Sequence, residues 1–329
     1  MDSKENSALH YAARYSHMEL VQILLDNKVM VDNVGSDGMT PLHYAARYGK
    51  NITRWENAPE EEDDIGLEVL KTLLVAGANI NKRDDYNLTP LHHASMRGNI
   101  RLVQYLVQQP NIVLNCPDKQ GSTPLHIAAT YGHVEVVKIL MEAKVNVRLK
   151  DNQGQSALHR AAQEGCPEII ELILESLDES ERSQIVREED DEGNTPLILS
   201  VEAGNNEGVG IFMEKTDSAT FINTPNDQGE CPLHFASRSG DKLTIELLIN
   251  NCADIDHKNQ SNQTPLYLAA ENAKENAEHA MFESEDSENV DVVKLLVERY
   301  SLTKEITITC QILGEQTWTY GMLRATPLL

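Results

Sequence analysis

Thr123-Pro-Leu-His-Ile-Ala-Ala-Thr-Tyr-Gly132 is the stretch from which the rest of the chain can be read. Thr123 is a helix N-cap whose side-chain oxygen can take an orphan N–H of the first turn, and Pro124 stands at the first helical position, where a missing N–H costs nothing. The run to Ala129 predicts a short helix that ends at Gly132. A second helix follows, because Val136, Val137, Ile139 and Leu140 recur at spacings that form one apolar face. The small Ala128 and Ala129 allow a neighbouring helix to approach closely. Upstream, Asp118-Lys119-Gln120-Gly121 is a turn in which glycine supplies a positive φ, so that a finger projects ahead of each helix pair.

The tetrapeptide of Thr or Ser, Pro or Ala, Leu and usually His recurs, with copies starting at Ser7, Thr40, Thr89, Thr123, Ser156, Thr195, Cys231 and Thr264. The separations are 33, 49, 34, 33, 39, 36 and 33 residues, a base period of 33 with insertions. A period of that length carrying Thr-Pro-Leu-His-x-Ala resembles the ankyrin family. The resemblance implies an all-α solenoid of about eight helix-turn-helix units with finger loops. These would occupy residues 1–300, with 301–329 a divergent tail or a ninth repeat cut short. The turn glycine recurs at Gly38, Gly154, Gly193 and Gly229, and Asn87 and Asn262 replace it; Asn is the residue that best tolerates the left-handed region after Gly. His10, His43, His92, His126, His159 and His234 stand once per unit at one helix position. That recurrence reads as side-chain hydrogen bonding to backbone between fingers and helices, not as metal ligation or catalysis. The adjacent pair His92-His93 points to different helix faces and is a poor shared ligand set.

With 40% hydrophobic residues in 329, the chain has enough apolar surface for a core, and 5% aromatics argues against a β-sandwich. A formal charge of −24 makes nucleic acid a poor partner and points to basic segments or cations as counterparts. Cys116, Cys166, Cys231, Cys252 and Cys310 are scattered, with no Cys-x-x-Cys pair, and read as free thiols in a reducing compartment. The first thirty residues lack the pattern of a secretory signal. No stretch approaches the roughly 18 consecutive apolar residues of a membrane-spanning helix. The expected compartment is the cytoplasm.

Three acidic segments, Trp55 to Asp64, Glu175 to Glu192 and Glu271 to Asp291, interrupt the period and hold close to half of the acidic residues. They read as solvated surface charge runs, with a loose cation site as the alternative. An EF-hand is ruled out, because placing Gly193 at the loop glycine puts Leu199 where a bidentate Glu must be. At the far end, Glu305 to Leu313 reads like a strand. Both ends suggest a piece of a longer protein.

No phosphate-binding loop, dinucleotide fingerprint, nucleophile elbow, kinase signature or His-Glu-x-x-His motif is present, so the expectation is a binding module without catalytic activity or cofactor. Its partners would be proteins, recognised by residues flanking the repeat's fixed positions: Arg47, Tyr48, Tyr86, Met96, Arg97, Lys119, Gln120, Thr130, Tyr131, Asn152 and Gln153. Tyr, Arg and Met are the residue types that interface cores favour. Gly38-Met-Thr-Pro-Leu-His-Tyr-Ala-Ala-Arg-Tyr-Gly49, Leu88-Thr-Pro-Leu-His-His-Ala-Ser-Met-Arg-Gly98, Ala157-Leu-His-Arg-Ala-Ala-Gln-Glu-Gly165 and Asp191-Glu-Gly-Asn-Thr-Pro-Leu197 also resemble successive units of the cytosolic region of invertebrate TRP-ankyrin cation channels. That resemblance implies the cytosolic arm of a channel subunit, at the plasma membrane and oligomeric through a C-terminal membrane domain absent from this chain. The alternative is a stand-alone cytosolic adaptor.

Overall fold

The structure, a computed structural model, describes residues 5–49, 64–217, 219, 221–279 and 291–299. The first acidic segment up to Asp63, most of the third, the strand-like reading of 305–313 and Cys310 lie outside the described residues. The chain divides into two compact units, Met1–Ser176 and Leu177–Leu329. All described secondary structure is helical, as expected.

In the first unit, helices come in pairs: α1 (Ala8–Arg14) with α2 (Met18–Asp26), α3 (Pro41–Tyr48) with α4 (Asp64–Val75), α5 (Pro90–Met96) with α6 (Ile100–Val107), α7 (Pro124–Thr130) with α8 (Val134–Glu142), and α9 (Ala157–Gln163) with α10 (Pro167–Glu175). The first members pack in series, α1 on α3, α3 on α5, α5 on α7 and α7 on α9, and the second members do likewise. In the second unit, α11 (Glu179–Ile185) precedes α12 (Pro196–Glu202) and α13 (Asn206–Lys215), α14 (Pro232–Ser239) and α15 (Lys242–Asn250), and α16 (Pro265–His279). Residues 291–299 are also helical. There α12, α14 and α16 pack in series, as do α13 and α15.

The motif leucines Leu42, Leu91, Leu125 and Leu158 are at most 2% exposed, as are Leu197 and Leu233 in the second unit. Burying each is worth about 1.5–3 kcal/mol of transfer free energy. The histidine that follows the motif leucine, replaced by Ile198 after Leu197, ties adjacent repeats together. Thr40 donates its backbone N–H to His43 Nδ1 at 3.0 Å, so Nδ1 is an acceptor and the proton sits on Nε2. Nε2 then donates to the carbonyls of Lys82 and Leu88, at 3.0 and 3.1 Å, in the next finger. The same bridge runs from His10 to Met39, His92 to Ser122, His126 to Gln155 and His234 to Gln263, at 3.0–3.2 Å. The helix-to-finger role read from the sequence is therefore the observed one. His92 and His93 do separate, since His93 Nε2 faces Asp84 Oδ2 at 2.9 Å.

Each finger is a small hairpin made by its first residue. Asp118 accepts the N–H groups of Gln120 and Ser122 through Oδ1, both at 2.8 Å, and Asp84, Asp151, Asp190 and Asn226 repeat the pattern. The fingers then join tip to tip: Lys119 N–H to Tyr86 O at 3.0 Å, and Asn152 N–H to Gln120 O at 2.8 Å. Gly121 has φ +79°, and a Cβ there would lie 2.6 Å from Asn152 Oδ1 and 2.8 Å from its backbone N. Asn87 and Asn262 take φ of 62° and 60°, which is why asparagine can replace glycine at this turn.

The second acidic segment departs from expectation. Instead of a wholly solvated charge run it contains α11, with Ile185 and Val186 at most 1% exposed. Asp178 caps this helix, accepting the Glu181 N–H at 2.8 Å while Glu181 Oε2 accepts the Asp178 N–H at 3.3 Å. That reciprocal pair is a capping box, legible as Asp-x-x-Glu ahead of an apolar pair.

Candidate binding surface

The repeat uses its motif positions on itself and leaves the C-terminal ends of the first helices, with the finger tips, for other work. Between two successive fingers of the first unit lies a cleft of about 300 Å³ lined by Tyr86, Met96, Lys119, Gln120, Thr130 and Tyr131, with Asp118 and Arg160 at its edge. Tyr86 and Tyr131 are each 56% exposed, so their rings are not spent in the core. The Lys119 ammonium lies 5.9 Å from the Tyr86 ring centroid, within cation–π range. Six of the eleven sequence-predicted residues thus meet in one cleft.

Arg47, Tyr48 and Arg97 form a second group. Arg97 donates from Nε to Arg47 O at 3.2 Å, and both guanidiniums lie within 6 Å of the Tyr48 ring, at 5.4 and 5.8 Å. Asn152 and Gln153 occupy the next finger and do not line the cleft. Asn152 Nδ2 supports it from behind by donating to Lys119 O at 3.0 Å, and Gln153 Oε1 accepts from Arg160 Nη2 at 2.7 Å. Two residues escaped the sequence reading. Arg160 lines the cleft, and Arg14 lies over the Tyr48 ring at 4.7 Å; the repeated Ala-Ala-Arg-Tyr at Ala12–Tyr15 and Ala45–Tyr48 was the available signal for Arg14.

The titratable groups near these surfaces serve the repeat. Burial first, and the neighbouring His93 second, push His43 down to about 4. His92, also lowered chiefly by burial, lies at about 4. Burial would raise Asp84, but the hydrogen bond and charge of His93, with the N–H groups of Leu88 and Tyr86, hold its carboxyl below the usual range. Cys231 Sγ lies 3.0 Å from His234 Nδ1, a distance that invites a nucleophile reading. However, Cys231 is fully buried, and burial pushes its thiol up to about 11. It is the N-cap of α14, standing where other units have threonine or serine. Cys116, Cys166, Cys231 and Cys252 are all free thiols.

A frame that repeats and a surface that varies define a repeat-built protein-interaction module. Residues 1–55, 63–151, 143–223 and 215–310 match the family model for three-copy ankyrin repeats, and 37–85 match that of a single ankyrin repeat. The chain belongs to the ankyrin-repeat family. It is 30% identical over 99 residues, 28% of this chain and 8% of the other, to a transient receptor potential cation channel subfamily A member 1 homolog of Caenorhabditis elegans. It is 36% identical over 102 residues to the tyrosine-protein kinase Shark of Drosophila melanogaster, covering 31% of this chain and 9% of the kinase. A putative ankyrin repeat protein of Fowlpox virus is 32% identical over 120 residues, 32% of this chain and 85% of the viral one. The aligned stretch thus spans under a tenth of the channel homolog and of the kinase. No described helix is long and apolar enough to cross a membrane.

Proposed function

We propose that this chain is a non-catalytic protein-recognition arm, and that its first unit binds a protein partner across the cleft between Tyr86, Met96, Lys119 and Tyr131. The observation that carries this reading is that exposed aromatic and long side chains converge there while every repeat-defining residue is committed to internal hydrogen bonds or core. Binding pockets combine such apolar walls with a few placed polar groups. In its most specific form the reading makes the chain the cytosolic arm of a TRP-ankyrin-like cation channel subunit, held at the plasma membrane by a domain beyond this sequence. The likeness to the nematode channel homolog and the segments between Gly38 and Leu197 support it. Likeness to a kinase and a viral protein keeps the stand-alone cytoplasmic adaptor as the second reading.

A photoreactive residue in place of Tyr131 tests the surface, with one in place of Val75, 88% exposed on an outer helix, as control. Crosslinking to a discrete partner from Tyr131 alone, abolished by Arg97→Glu with Lys119→Glu at unchanged melting temperature, is the expected result. Equal crosslinking from both sites would refute the assignment. Sequencing the transcript past the Leu329 codon separates the two specific readings. Several further stretches of about 20 apolar residues favour the channel, and a stop codon with a soluble partner favours the adaptor.

A further inference from the structure

Arg14 and Arg47 occupy the same register of the repeated Ala-Ala-Arg-Tyr, at the ends of α1 and α3, and Arg97 follows α5 one place later. Their guanidinium carbons surround one ring, 4.7, 5.4 and 5.8 Å from the Tyr48 centroid. Among the described residues, Arg47 Nη1 meets the soft acceptor Met39 Sδ, at 3.9 Å, and the buried Nε atoms of Arg14 and Arg47 have no hydrogen-bond partner. Among the described residues, no carboxylate pairs with any of the three.

Other arginines of the chain are treated differently. Arg238, in α14 at the register of Arg14 and Arg47, pairs with Glu230, the residue just before its N-cap. Arg160 Nε donates to Asp151 Oδ2 at 2.9 Å. Where α14 has Glu230, α3 has Met39 and α1 has Asn6, and Asn6 is occupied by the Ser36 N–H at 3.1 Å and the Tyr44 hydroxyl at 3.2 Å. The described residues of the first two repeats thus offer no counterpart to the carboxylate that neutralises the equivalent arginine in the second unit. Three like charges around one ring repel each other, and an external anion would relieve that cost. The charge balance along the chain agrees: residues 1–176 hold 17 Lys and Arg against 23 Asp and Glu, and 177–329 hold 11 against 29.

We propose that Arg14, Arg47 and Arg97, held around Tyr48, receive an acidic segment of a protein partner; this rests on the reading of the first unit's helix ends as a protein-binding surface. Guanidinium forks take carboxylates bidentately, and a ring behind them fixes their planes while leaving N–H edges outward. Arg97 adjoins Met96 in the cleft, so one peptide can seat a side chain there and its carboxylates on the arginines. The acidic remainder of the protein does not prevent this, since charges more than about 8 Å away are largely screened at physiological salt. An anionic membrane is disfavoured because its extended surface would also meet the acidic parts of the chain.

The test uses the full chain and a short fluorescein-labelled peptide of alternating glutamate and alanine, read by anisotropy at low and physiological salt. Binding should weaken as salt rises, and Arg14→Gln, Arg47→Gln and Arg97→Gln combined should weaken it roughly tenfold or more. Lys138→Gln with Lys144→Gln, which removes charge from exposed positions elsewhere in the unit, should leave it unchanged. Met39→Glu, installing beside Arg47 the carboxylate that Arg238 has, should lower affinity with all three arginines present. No salt-dependent binding, an unaffected triple variant, or capture of phosphatidylserine-rich vesicles without the peptide would each overturn the proposal. If the peptide fails while Tyr131 still crosslinks to a partner, the acidic class is wrong and the surface stands. If crosslinking fails as well, the surface itself is wrong.

Discussion

Acidification from pH 7 to pH 5 should destabilise the first unit through its motif histidines. His43 and His92 are buried with Nδ1 accepting the N–H of Thr40 and Thr89. Protonating Nδ1 would place a charge in a dry site, the larger cost, and would also set one N–H against another. Their pKa values therefore fall from 6.5 to about 4. Between those values the unfolded chain binds a proton that the folded chain refuses, so stability rises with pH across the window. The contribution is complete above about pH 6.5 and is lost as pH falls toward 4. At about 1.4 kcal/mol per pH unit, each histidine loses on the order of 2 kcal/mol by pH 5 and about 3 kcal/mol in full. Two such losses are a large fraction of the 5–15 kcal/mol that a domain commonly holds. His126, lowered chiefly by burial, adds in the same direction. Asp84, whose carboxyl is held below 3.8, loses its contribution only at lower pH and does not obscure the effect. Urea midpoints by circular dichroism at pH 7, 6 and 5 measure the slope, and amide exchange shows whether protection falls around the Thr40 and Thr89 helices. His43→Gln with His92→Gln should flatten the slope from a lower starting stability. Equal midpoints at pH 7 and pH 5, or folded-state imidazole resonances of His43 titrating near 6.5, would refute the reasoning.

Leu125→Ala removes a side chain only 2% exposed and should cost about 2–5 kcal/mol; the loss should spread only to the hairpins of α5 and α9, and uniform loss of exchange protection along the first unit would contradict nearest-neighbour coupling. Arg160→Leu should cost on the order of 3 kcal/mol, because the Asp151 carboxylate has 0% side-chain exposure and is left without its counter-charge. Adding Asp151→Asn should restore much of that, since Asn226 makes the same turn with an amide oxygen; a double variant no more stable than the single one in urea melts would sink this account.

The fold was legible because its defining interactions are local and repeated. Thr123, Pro124 and Gly132 mark a helix by their own chemistry, and Gly121 or Asn87 marks a turn. The histidine role was legible for a different reason: a residue repeated once per unit points to a repeated structural job. What escaped was which particular groups pair, whether the partner is a few residues away or a repeat away. The capping box and apolar pair of α11 stand in the sequence as Asp178-x-x-Glu181 and Ile185-Val186, yet they sit inside a run of acids that reads as solvated charge. Arg160 showed no sign that it pairs with Asp151, and the repeated Ala-Ala-Arg-Tyr singled out Arg14 without placing it over Tyr48, 34 residues on. The finger aspartates were visible as acids but not as acceptors of two backbone N–H groups each.

Net charge was the least informative quantity, for a physical reason. A value of −24 describes how the molecule behaves at distances beyond the screening length, and recognition happens inside it. On the contact scale the sign is set by which arginines the fold neutralises. Glu230 neutralises Arg238 and Asp151 neutralises Arg160, whereas among the described residues Met39 and Asn6 stand where a carboxylate would have met Arg47 and Arg14. Asp151 also makes its finger, but Glu230, Met39 and Asn6 stand at the position before the N-cap, which is neither the cap, the finger's turn-making acceptor nor the motif leucine. Substitution at the position before the N-cap can therefore change what the neighbouring helix end attracts while leaving the histidine bridges, which end on backbone carbonyls, and the finger-to-finger backbone bonds in place.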